Sequence, residues 1–369
     1  MIFVLTMKKT SSYHRSSRNG PTTEESFLYR SRNYGKDWYQ ITAKTAPGFP
    51  EGAMLKSYRP SSLKTGCLVF VDDQREGLGD YTIKSTVLDK TYYNHTPAKG
   101  RIVVTRNRGE TYESNNLPFA IEEFSFHPTE EDWILAYDKK ESQLWSSTDL
   151  GVSWVQLSDP KTMLVTDKRW FWGVENIDAP NIVHFEYRER GAKTTTYRVY
   201  TCNIYRCLKP CTNANDDSDN CKLNDYNELL GEISRDSLAV EGTYILVEKS
   251  IGQYASGPKH LYTSHKRGNF QKAHFTSNEK FNDYHVINAK DDFIVLGVLH
   301  SDMSKSNLYV SNKKGDVFWL TLPNINSNHV RTARFSISTS ADPFKVDCVT
   351  MPSLVGKFII IIFRAKFCP

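Results

Sequence analysis

Ser147-Thr148-Asp149-Leu150-Gly151-Val152-Ser153-Trp154 is the stretch that decides the fold of this chain. The short side chains of Ser147 and Asp149 can accept hydrogen bonds from turn amides. Gly151 tolerates a backbone conformation that a β-carbon would penalise, and Trp154 is a large apolar group that can pack back on the turn. The octet therefore predicts a strand, a tight turn and a second strand.

The octet recurs with the same spacing of hydroxyl, acceptor, glycine and aromatic residue. The clearest copies contain Ser31, Asn33, Gly35 and Trp38; Thr105, Asn107, Gly109 and Tyr112; and Ser311, Gly315 and Phe318, with Lys313 in the acceptor position. The weakest copy lies within Leu261 to Phe270, and its aromatic residue comes one place early. The second and third copies begin 42 residues apart and the last two begin 47 apart, which matches one propeller blade.

A repeated strand-turn-strand unit cannot bury its apolar face alone, so the units must stack as blades. An aromatic content of 12% also favours strands. Alternating apolar residues predict further strands at 124–126, 133–137, 182–185 and 293–298. We therefore expect an all-β chain that folds as a β-propeller. Its hairpins would be built on this octet, which is called an Asp box, and the octet residues would have a structural role.

Four of the seven cysteines fall within twenty residues. Cys202 and Cys207 flank a strand-rich hairpin that lacks the octet glycine, and we expect a bridge between them to replace the missing turn chemistry. Cys211 and Cys221 would form a second bridge. Pairing of Cys207 with Cys211, or a zinc site of four thiolates, is the alternative. The cysteines and a glycosylation sequon at Asn94 indicate an extracytoplasmic chain.

Two apolar segments, 1–6 and 358–363, are too short for a signal sequence or a membrane span, and both are predicted to be buried strands. The formal net charge of +5 is small for a chain of 369 residues, and no basic stripe is interleaved with aromatic residues. A nucleic-acid partner is therefore not expected.

The chain offers little that resembles catalytic or cofactor chemistry. The adjacent carboxylates at 122–123 and 130–132 point to opposite faces if they lie on strands. The run 215–220 departs from a calcium loop at its sixth and twelfth positions. We predict no enzyme activity, no cofactor and no metal. One alternative is an Asp-box glycosidase of sialidase type, for which Tyr58-Arg59-Pro60 is a weak indication, and another is a truncated product without function.

The octets are the Asp boxes of sialidases, some glycoside hydrolases and the sortilin-type sorting receptors. The segments 124–137, 143–147, 169–172 and 202–207 resemble the third and fourth blades of the SorCS branch of the sortilin-type family. The run 25–31 resembles the approach to the first box of that family, and 308–318 resembles its sixth blade.

That resemblance implies that residues 1–363 are a partial ten-bladed propeller, with about six blades and a cysteine-rich insertion at 202–221 in the boxless fourth blade. The tail 364–369 matches nothing in the family pattern. The implied protein is a single-pass membrane receptor, able to dimerise, that carries propeptides, neurotrophic factors or neuropeptides between Golgi, endosome and plasma membrane. No ligand-binding residue is transferred. Seven histidines suggest release on acidification: His95, His127, His184, His260, His265, His285 and His300.

Overall fold

The computed structural model describes residues 1–11, 22–72, 100–192, 197–207, 230–250, 259–277, 283–290, 292–299 and 305–326, together with short strands at 338–339, 346–347, 349–350 and 360–361. The regular elements within these ranges are β-strands, apart from a helical conformation at Leu230. The chain divides into two compact units, Met1–Asp167 and Lys168–Pro369. Within the described ranges, no helix is long and apolar enough to cross a bilayer. The predicted all-β class is confirmed.

The first three sheets follow one another along the chain. Sheet I contains β1 (Ile2–Ser11), β2 (Thr22–Ser31) and β3 (Tyr39–Ile41). Sheet II contains β4 (Leu55–Pro60), β5 (Leu68–Asp72), β6 (Arg101–Thr105) and β7 (Glu113–Asn116). Sheet III contains β8 (Glu123–Phe126), β9 (Ile134–Asp138), β10 (Gln143–Ser147) and β11 (Val155–Gln156).

Three more large sheets and two short strand pairs complete the described chain. Sheet IV contains β12 (Met163–Trp172), β13 (Ile182–Glu189), β14 (Tyr197–Asn203) and β15 (Glu232–Ile233). Sheet V contains β16 (Ala239–Glu241), β17 (Tyr244–Ser250), β18 (Lys259–His265) and β19 (Gln271–Lys272). Sheet VI contains β20 (His274–Phe275), β21 (Asp283–Lys290), β22 (Phe293–Leu299), β23 (Lys305–Ser311) and β24 (Val317–Asn326). The short pairs are β25 (Ser338–Thr339) with β26 (Val346–Asp347), and β27 (Val349–Thr350) with β28 (Ile360–Ile361).

Sheets II to V are four-stranded meanders in which strands that are consecutive along the chain lie side by side. Sheet VI has the same meander from β21 to β24, and β20 adds to β24 in parallel. In sheets II, III, V and VI the octet lies between the third and fourth strands of the meander, and in sheet I it lies between β2 and β3. This is the β-propeller blade pattern that the repeats predict. The number of blades and the boundaries 1–363 and 364–369 stay predictions.

The strand β5 contributes side chains to two apolar clusters, one on each face of sheet II. All five of its residues are buried. Val69 and Val71 pack into the cluster that includes sheet III, whereas Leu68 and Phe70 pack into the cluster that includes sheet I. Because successive side chains of a strand point to opposite faces, sheet II is covered on both sides. A continuous apolar run is the expected sequence of such a strand.

The predicted burial of the segment 1–6 is wrong, although the segment does form a strand. The exposed fractions of Met1, Ile2 and Val4 are 44%, 39% and 37%. The strand β1 lies at the edge of sheet I, and only Phe3 and Leu5 pack against the shared core. Of the segment 358–363, the described part is β28, and the remaining residues lie outside the described ranges.

Candidate functional site: the turns that follow the third strands

The octet at Ser147 forms a turn held by side-chain hydrogen bonds. The Ser147 hydroxyl donates to the Asp149 carboxylate at 2.8 Å and accepts the Gly151 amide at 2.7 Å. The carboxylate in turn accepts the Ser153 amide at 2.9 Å. Leu150 and Gly151 have φ angles of 58° and 83°, so two successive residues occupy the left-handed region. The glycine is therefore required by backbone conformation.

The first two copies repeat this bonding pattern. The hydroxyl of the first residue accepts the glycine amide, and the asparagine oxygen accepts the amide four residues after it. The distances are 2.8 Å for Gly35 to Ser31, 2.9 Å for Asp37 to Asn33, 2.8 Å for Gly109 to Thr105 and 3.0 Å for Thr111 to Asn107. Aspartate and asparagine can therefore both occupy this position, because each presents an acceptor oxygen to the same amide.

The copy that begins at Ser311 departs from this pattern. Its acceptor is Asn312, whose side-chain oxygen takes the Asp316 amide at 3.1 Å. The Ser311 hydroxyl accepts the Ile294 amide of the neighbouring strand at 2.7 Å and donates to the Asn312 carbonyl at 2.9 Å. Lys313 occupies the sequence position of the acceptor without that role. Gly315 keeps a positive φ of 74°.

The copy at Ser264 is bonded differently again. The Ser264 hydroxyl donates to the Gly268 carbonyl at 2.7 Å, and the Gly268 amide donates to the His265 carbonyl at 2.9 Å. Positive φ angles fall on Lys266 and Arg267, at 51° and 54°. The early aromatic residue, Phe270, packs against a core cluster of the second unit.

The aromatic residues that end the octets differ in burial. Tyr112 and Phe318 are buried, with exposed fractions of 4% and 0%. Trp154 is partly buried against the core of sheets II and III, and its indole nitrogen donates to the Gly151 carbonyl at 3.1 Å. Trp38 in sheet I is 42% exposed. The first three of these side chains pack in core clusters, and a structural role for the octet residues stays a prediction.

Basic residues in four of these turns form ion pairs with carboxylates elsewhere on the chain. Arg32 pairs with Glu110 of the next octet. The other three pairs are Arg106 with Asp132 at 3.2 Å, Arg267 with Asp178 at 2.5 Å, and Lys313 with Asp292 at 2.7 Å. The first three pairs connect neighbouring sheets within a unit, whereas the Lys313 pair joins two loops of sheet VI.

In sheet IV a disulfide-closed turn follows the third strand of the meander. The structure joins Cys202 and Cys207 through an S–S bond of 2.02 Å, so neither can supply a thiolate to a zinc ion or pair with another cysteine. Among the described residues no group of three or more histidines, cysteines or carboxylates is placed to hold a metal. Cys211, Cys221 and Asn94 lie outside the described ranges, so the second bridge and the glycosylation site stay predictions.

A buried polar cluster lies beside this turn. The Asp178 carboxylate contacts the Nε2 nitrogen of His184 at 3.0 Å and accepts the Val174 amide at 2.7 Å. The Nδ1 nitrogen of His184 lies 2.8 Å from the Thr201 hydroxyl. Burial acts to raise the pKa of Asp178, but the hydrogen bond from His184 and the charges of His184 and Arg267 outweigh it, so the pKa is lowered. Asp178 is therefore held ionised in the protein interior.

Two other buried carboxylates were missed by sequence analysis. Glu186 is fully buried and accepts the amides of Asp236, Ser237 and Leu238 at 2.8, 3.0 and 3.2 Å. Glu248 is 3% exposed and pairs with Lys259 at 2.8 Å; burial raises its pKa, and the lysine opposes that rise. Their only sequence signal is a carboxylate within a largely apolar strand.

Ion pairs with basic residues are formed by four of the five carboxylates considered as catalytic candidates. Glu123 pairs with Arg59 at 3.2 Å, and the guanidinium of Arg59 also lies over the Phe124 ring. The remaining contacts are 3.8 Å from Lys139 to Glu122, 3.5 Å from Lys64 to Glu131 and 3.8 Å from Lys64 to Asp132. These ion pairs are partly exposed, so the carboxylates belong to the solvated surface.

The described histidines have separate surroundings. The Nδ1 nitrogen of His127 accepts the amides of Thr129 and Glu130 at 3.0 and 2.9 Å, which is a turn contact. The pKa of His260 is lowered by burial and by the charge of Lys272. His265 stacks on the Tyr244 ring, with the two ring centroids 4.7 Å apart. His95 and His300 lie outside the described ranges.

Comparison with known proteins identifies relatives across most of the chain. The family model Sortilin-Vps10, described as sortilin, neurotensin receptor 3, matches residues 26–360. The VPS10 domain-containing receptor SorCS3 of Mus musculus is 28% identical over 267 residues, which cover 69% of this chain and 20% of that receptor. SorCS1 of Mus musculus is 26% identical over 307 residues, which cover 82% of this chain and 22% of that receptor. The chain thus spans about a fifth of the length of these relatives.

One solved structure shows a distant similarity to this chain. A GH74 xyloglucanase from Xanthomonas campestris superposes with a TM-score of 0.38 and 11% identity, covering 81% of this chain and 42% of the enzyme.

Proposed function

This chain belongs to the sortilin Vps10 family, and we propose that it is part of the ligand-binding region of a sorting receptor. The observation that carries the proposal is the family match over residues 26–360, which covers sheets II to VI of the blade pattern described above. The relatives named above are receptors by description. The proposed ligands are peptides or proteins, among them propeptides, neurotrophic factors and neuropeptides.

The proposed mechanism is association without a chemical step. In sheets II to V the first strand of each meander lies at an edge, so one side of its backbone has no strand partner within the sheet. An extended peptide can pair with such an edge through main-chain hydrogen bonds while its side chains fill neighbouring pockets. The strand β4 supports this mode, because every residue after Leu55 is exposed.

The candidate carboxylates are paired with basic residues, and this pairing agrees with a binding role without catalysis. Glu122, Glu123 and Glu131 each face a lysine or an arginine. A retaining or inverting glycosidase needs two carboxyl groups that flank one bond, with the pKa of one of them raised. No observation among the described residues favours the glycosidase alternative.

The proposed setting is the luminal or extracellular side of a membrane, within a single-pass receptor that moves between Golgi, endosome and plasma membrane. The Cys202–Cys207 disulfide supports it, because such bonds persist in oxidising compartments. Dimerisation and membrane anchoring of the whole protein are part of the same proposal.

Binding of peptides to the purified, oxidised chain tests this function. The probes are about 15-residue peptides tiled across secreted propeptide and neurotrophic-factor precursors, titrated onto the immobilised chain near neutral pH. We expect saturable binding with dissociation constants at or below the micromolar range. The same titration onto the denatured, reduced chain measures non-specific adsorption. Absence of saturable binding, or hydrolysis of aryl glycosides that one Glu or Asp substitution abolishes, would overturn the proposal.

A further inference from the structure

The disulfide-closed turn 202–207 presents two large side chains to solvent. It begins within β14, the third strand of sheet IV, at the place where other meanders carry an octet. Tyr205 is 58% exposed, and Arg206 is exposed beside it. Tyrosine and arginine are the residue types that, with tryptophan, most often dominate the binding energy of protein interfaces.

Several contacts hold this turn in one conformation. The Asn203 side-chain oxygen accepts the Tyr205 amide at 3.0 Å, and the Asn203 carbonyl accepts the Arg206 amide at 2.8 Å. Ile204 is 2% exposed and anchors the turn from below. The Tyr200 hydroxyl donates to the Cys207 carbonyl at 2.7 Å. A turn fixed in this way loses little conformational entropy when a partner binds.

The charge of Arg206 distinguishes this turn from the octet turns. Arg32, Arg106, Arg267 and Lys313 all pair with carboxylates of this chain. Arg206 makes no ion pair with any residue in the described ranges, where its recorded hydrogen bond is that of its backbone amide within the turn. A guanidinium binds carboxylate through two parallel hydrogen bonds, so the complementary group is an acidic one.

We propose that Tyr205 and Arg206 form a contact surface for a peptide or protein that presents a carboxylate next to an aromatic or aliphatic side chain. The carboxylate pairs with the Arg206 guanidinium, and the apolar side chain packs on the Tyr205 ring. The disulfide keeps the two groups at a fixed separation. The inference rests on the proposed receptor function and assigns part of the binding surface to sheet IV.

Two matched peptide libraries test it. Both contain random hexapeptides with acetylated and amidated ends; the first fixes glutamate followed by phenylalanine at the centre, and the second replaces the glutamate by glutamine. Binding to the oxidised chain is measured for wild type and for Arg206→Gln, Arg206→Lys and Tyr205→Ser. Lys161→Gln and Tyr34→Ser are controls, since Lys161 is exposed and Tyr34 is 88% exposed at other places on the chain.

We expect the acidic library to bind wild type about tenfold more tightly than the amide library. Arg206→Gln should remove that preference, Arg206→Lys should restore part of it, and Tyr205→Ser should weaken both libraries. Both controls should behave as wild type. Equal binding of the two libraries, or an acidic preference that survives Arg206→Gln, overturns the inference.

The tiled precursor peptides separate this inference from the proposed function. If wild type binds those peptides and Arg206→Gln binds them equally well, the receptor function stands and the assigned surface is wrong. If wild type binds neither the precursor peptides nor the acidic library, both proposals are wrong. Far-ultraviolet circular dichroism and the melting temperature of each variant establish that it is folded.

Discussion

The Asn312 side chain accepts a hydrogen bond from the Asp316 amide at 3.1 Å. Asn312 is the second residue of its octet, whereas the acceptor in the first three octets is the third residue. In those turns the acceptor is the third residue and bonds the amide four residues on. In the turn after β23, the acceptor and the amide donor each lie one residue earlier in the octet. The interval between acceptor and donor is thereby preserved.

Truncation of Asn312 should therefore destabilise the protein more than truncation of Lys313. Asn312→Ala removes a turn acceptor and should lower the free energy of unfolding by about 1–2 kcal/mol, as loss of a helix cap does. Lys313→Ala loses an ion pair whose side chains are 66% and 63% exposed, which contributes well under about 1 kcal/mol. Urea unfolding of both variants measures the difference. Equal losses would contradict the shifted acceptor.

Replacement of Asp149 should separate the role of its oxygen from that of its charge. Asp149→Ala should cost about 1–2 kcal/mol, because the Ser147 hydroxyl and the Ser153 amide both lose their partner. Asp149→Asn should cost less, since asparagine fills this position in two other turns. The exposed Glu51→Gln variant, studied alongside, reports the effect of removing a carboxylate without such contacts.

The difference between wild type and Asp149→Asn should depend on pH. Burial acts to raise the pKa of Asp149, but hydrogen bonds from Ser153 and Ser147 outweigh it, so the pKa is lowered. A carboxyl whose pKa is lower in the folded state stabilises the fold above its unfolded pKa of about 4 and loses that contribution as the pH falls through the folded value. Urea unfolding across this range should show the two proteins converging in acid. A constant difference would argue against the bonded carboxylate.

Gly151→Ala should destabilise the protein more than Gly191→Ala, although the φ angles of the two glycines are nearly equal. These angles are 83° and 81°, so alanine would be strained by about 1 kcal/mol at either position. At Gly151 the added carbon would also lie 1.9 Å from Cδ1 of the buried Ile102, whereas nothing lies within 4 Å at Gly191. We expect a total loss of about 2–4 kcal/mol for Gly151→Ala. Thermal unfolding with similar losses for both would contradict this account.

Asp178→Asn should be among the most damaging single changes. It leaves Arg267 without its counter-charge and His184 without its carboxylate partner in a site where the Asp178 side chain is 1% exposed. Breaking a buried pair from one side typically costs about 3–5 kcal/mol. Asp292→Asn, which breaks an exposed pair with Lys313, is the matched control and should cost less than about 1 kcal/mol. Chemical unfolding of both variants checks the contrast.

Much of the architecture was predictable because it depends on local patterns. The strands predicted at 133–137, 182–185 and 293–298 are confirmed by β9, β13 and β22. The family resemblance stated from 124–147 and its neighbours is confirmed by the match over residues 26–360. Turn conformation follows from hydrogen bonds among residues close in sequence, so an octet predicts its own turn.

The contacts between sheets could not be predicted in the same way. Glu186 bonds amides about fifty residues further along the chain, and Arg267 reaches Asp178 from a different sheet. The exposure of β1 and the shifted acceptor at Asn312 also depend on neighbouring strands. Nothing in the residues around each position encodes these partners.

The sequence alone determined that the octet at Ser147 to Trp154 is a turn, that its relatives are turns of the same kind, and that their strands stack as sheets. The reason is that local hydrogen bonding and the alternation of apolar side chains act over a few residues. The tertiary structure alone decided which carboxylates are buried with a partner and which arginine is exposed without an ion pair in the described ranges. Those outcomes depend on the distance between residues far apart in sequence, which is set only when the sheets pack together.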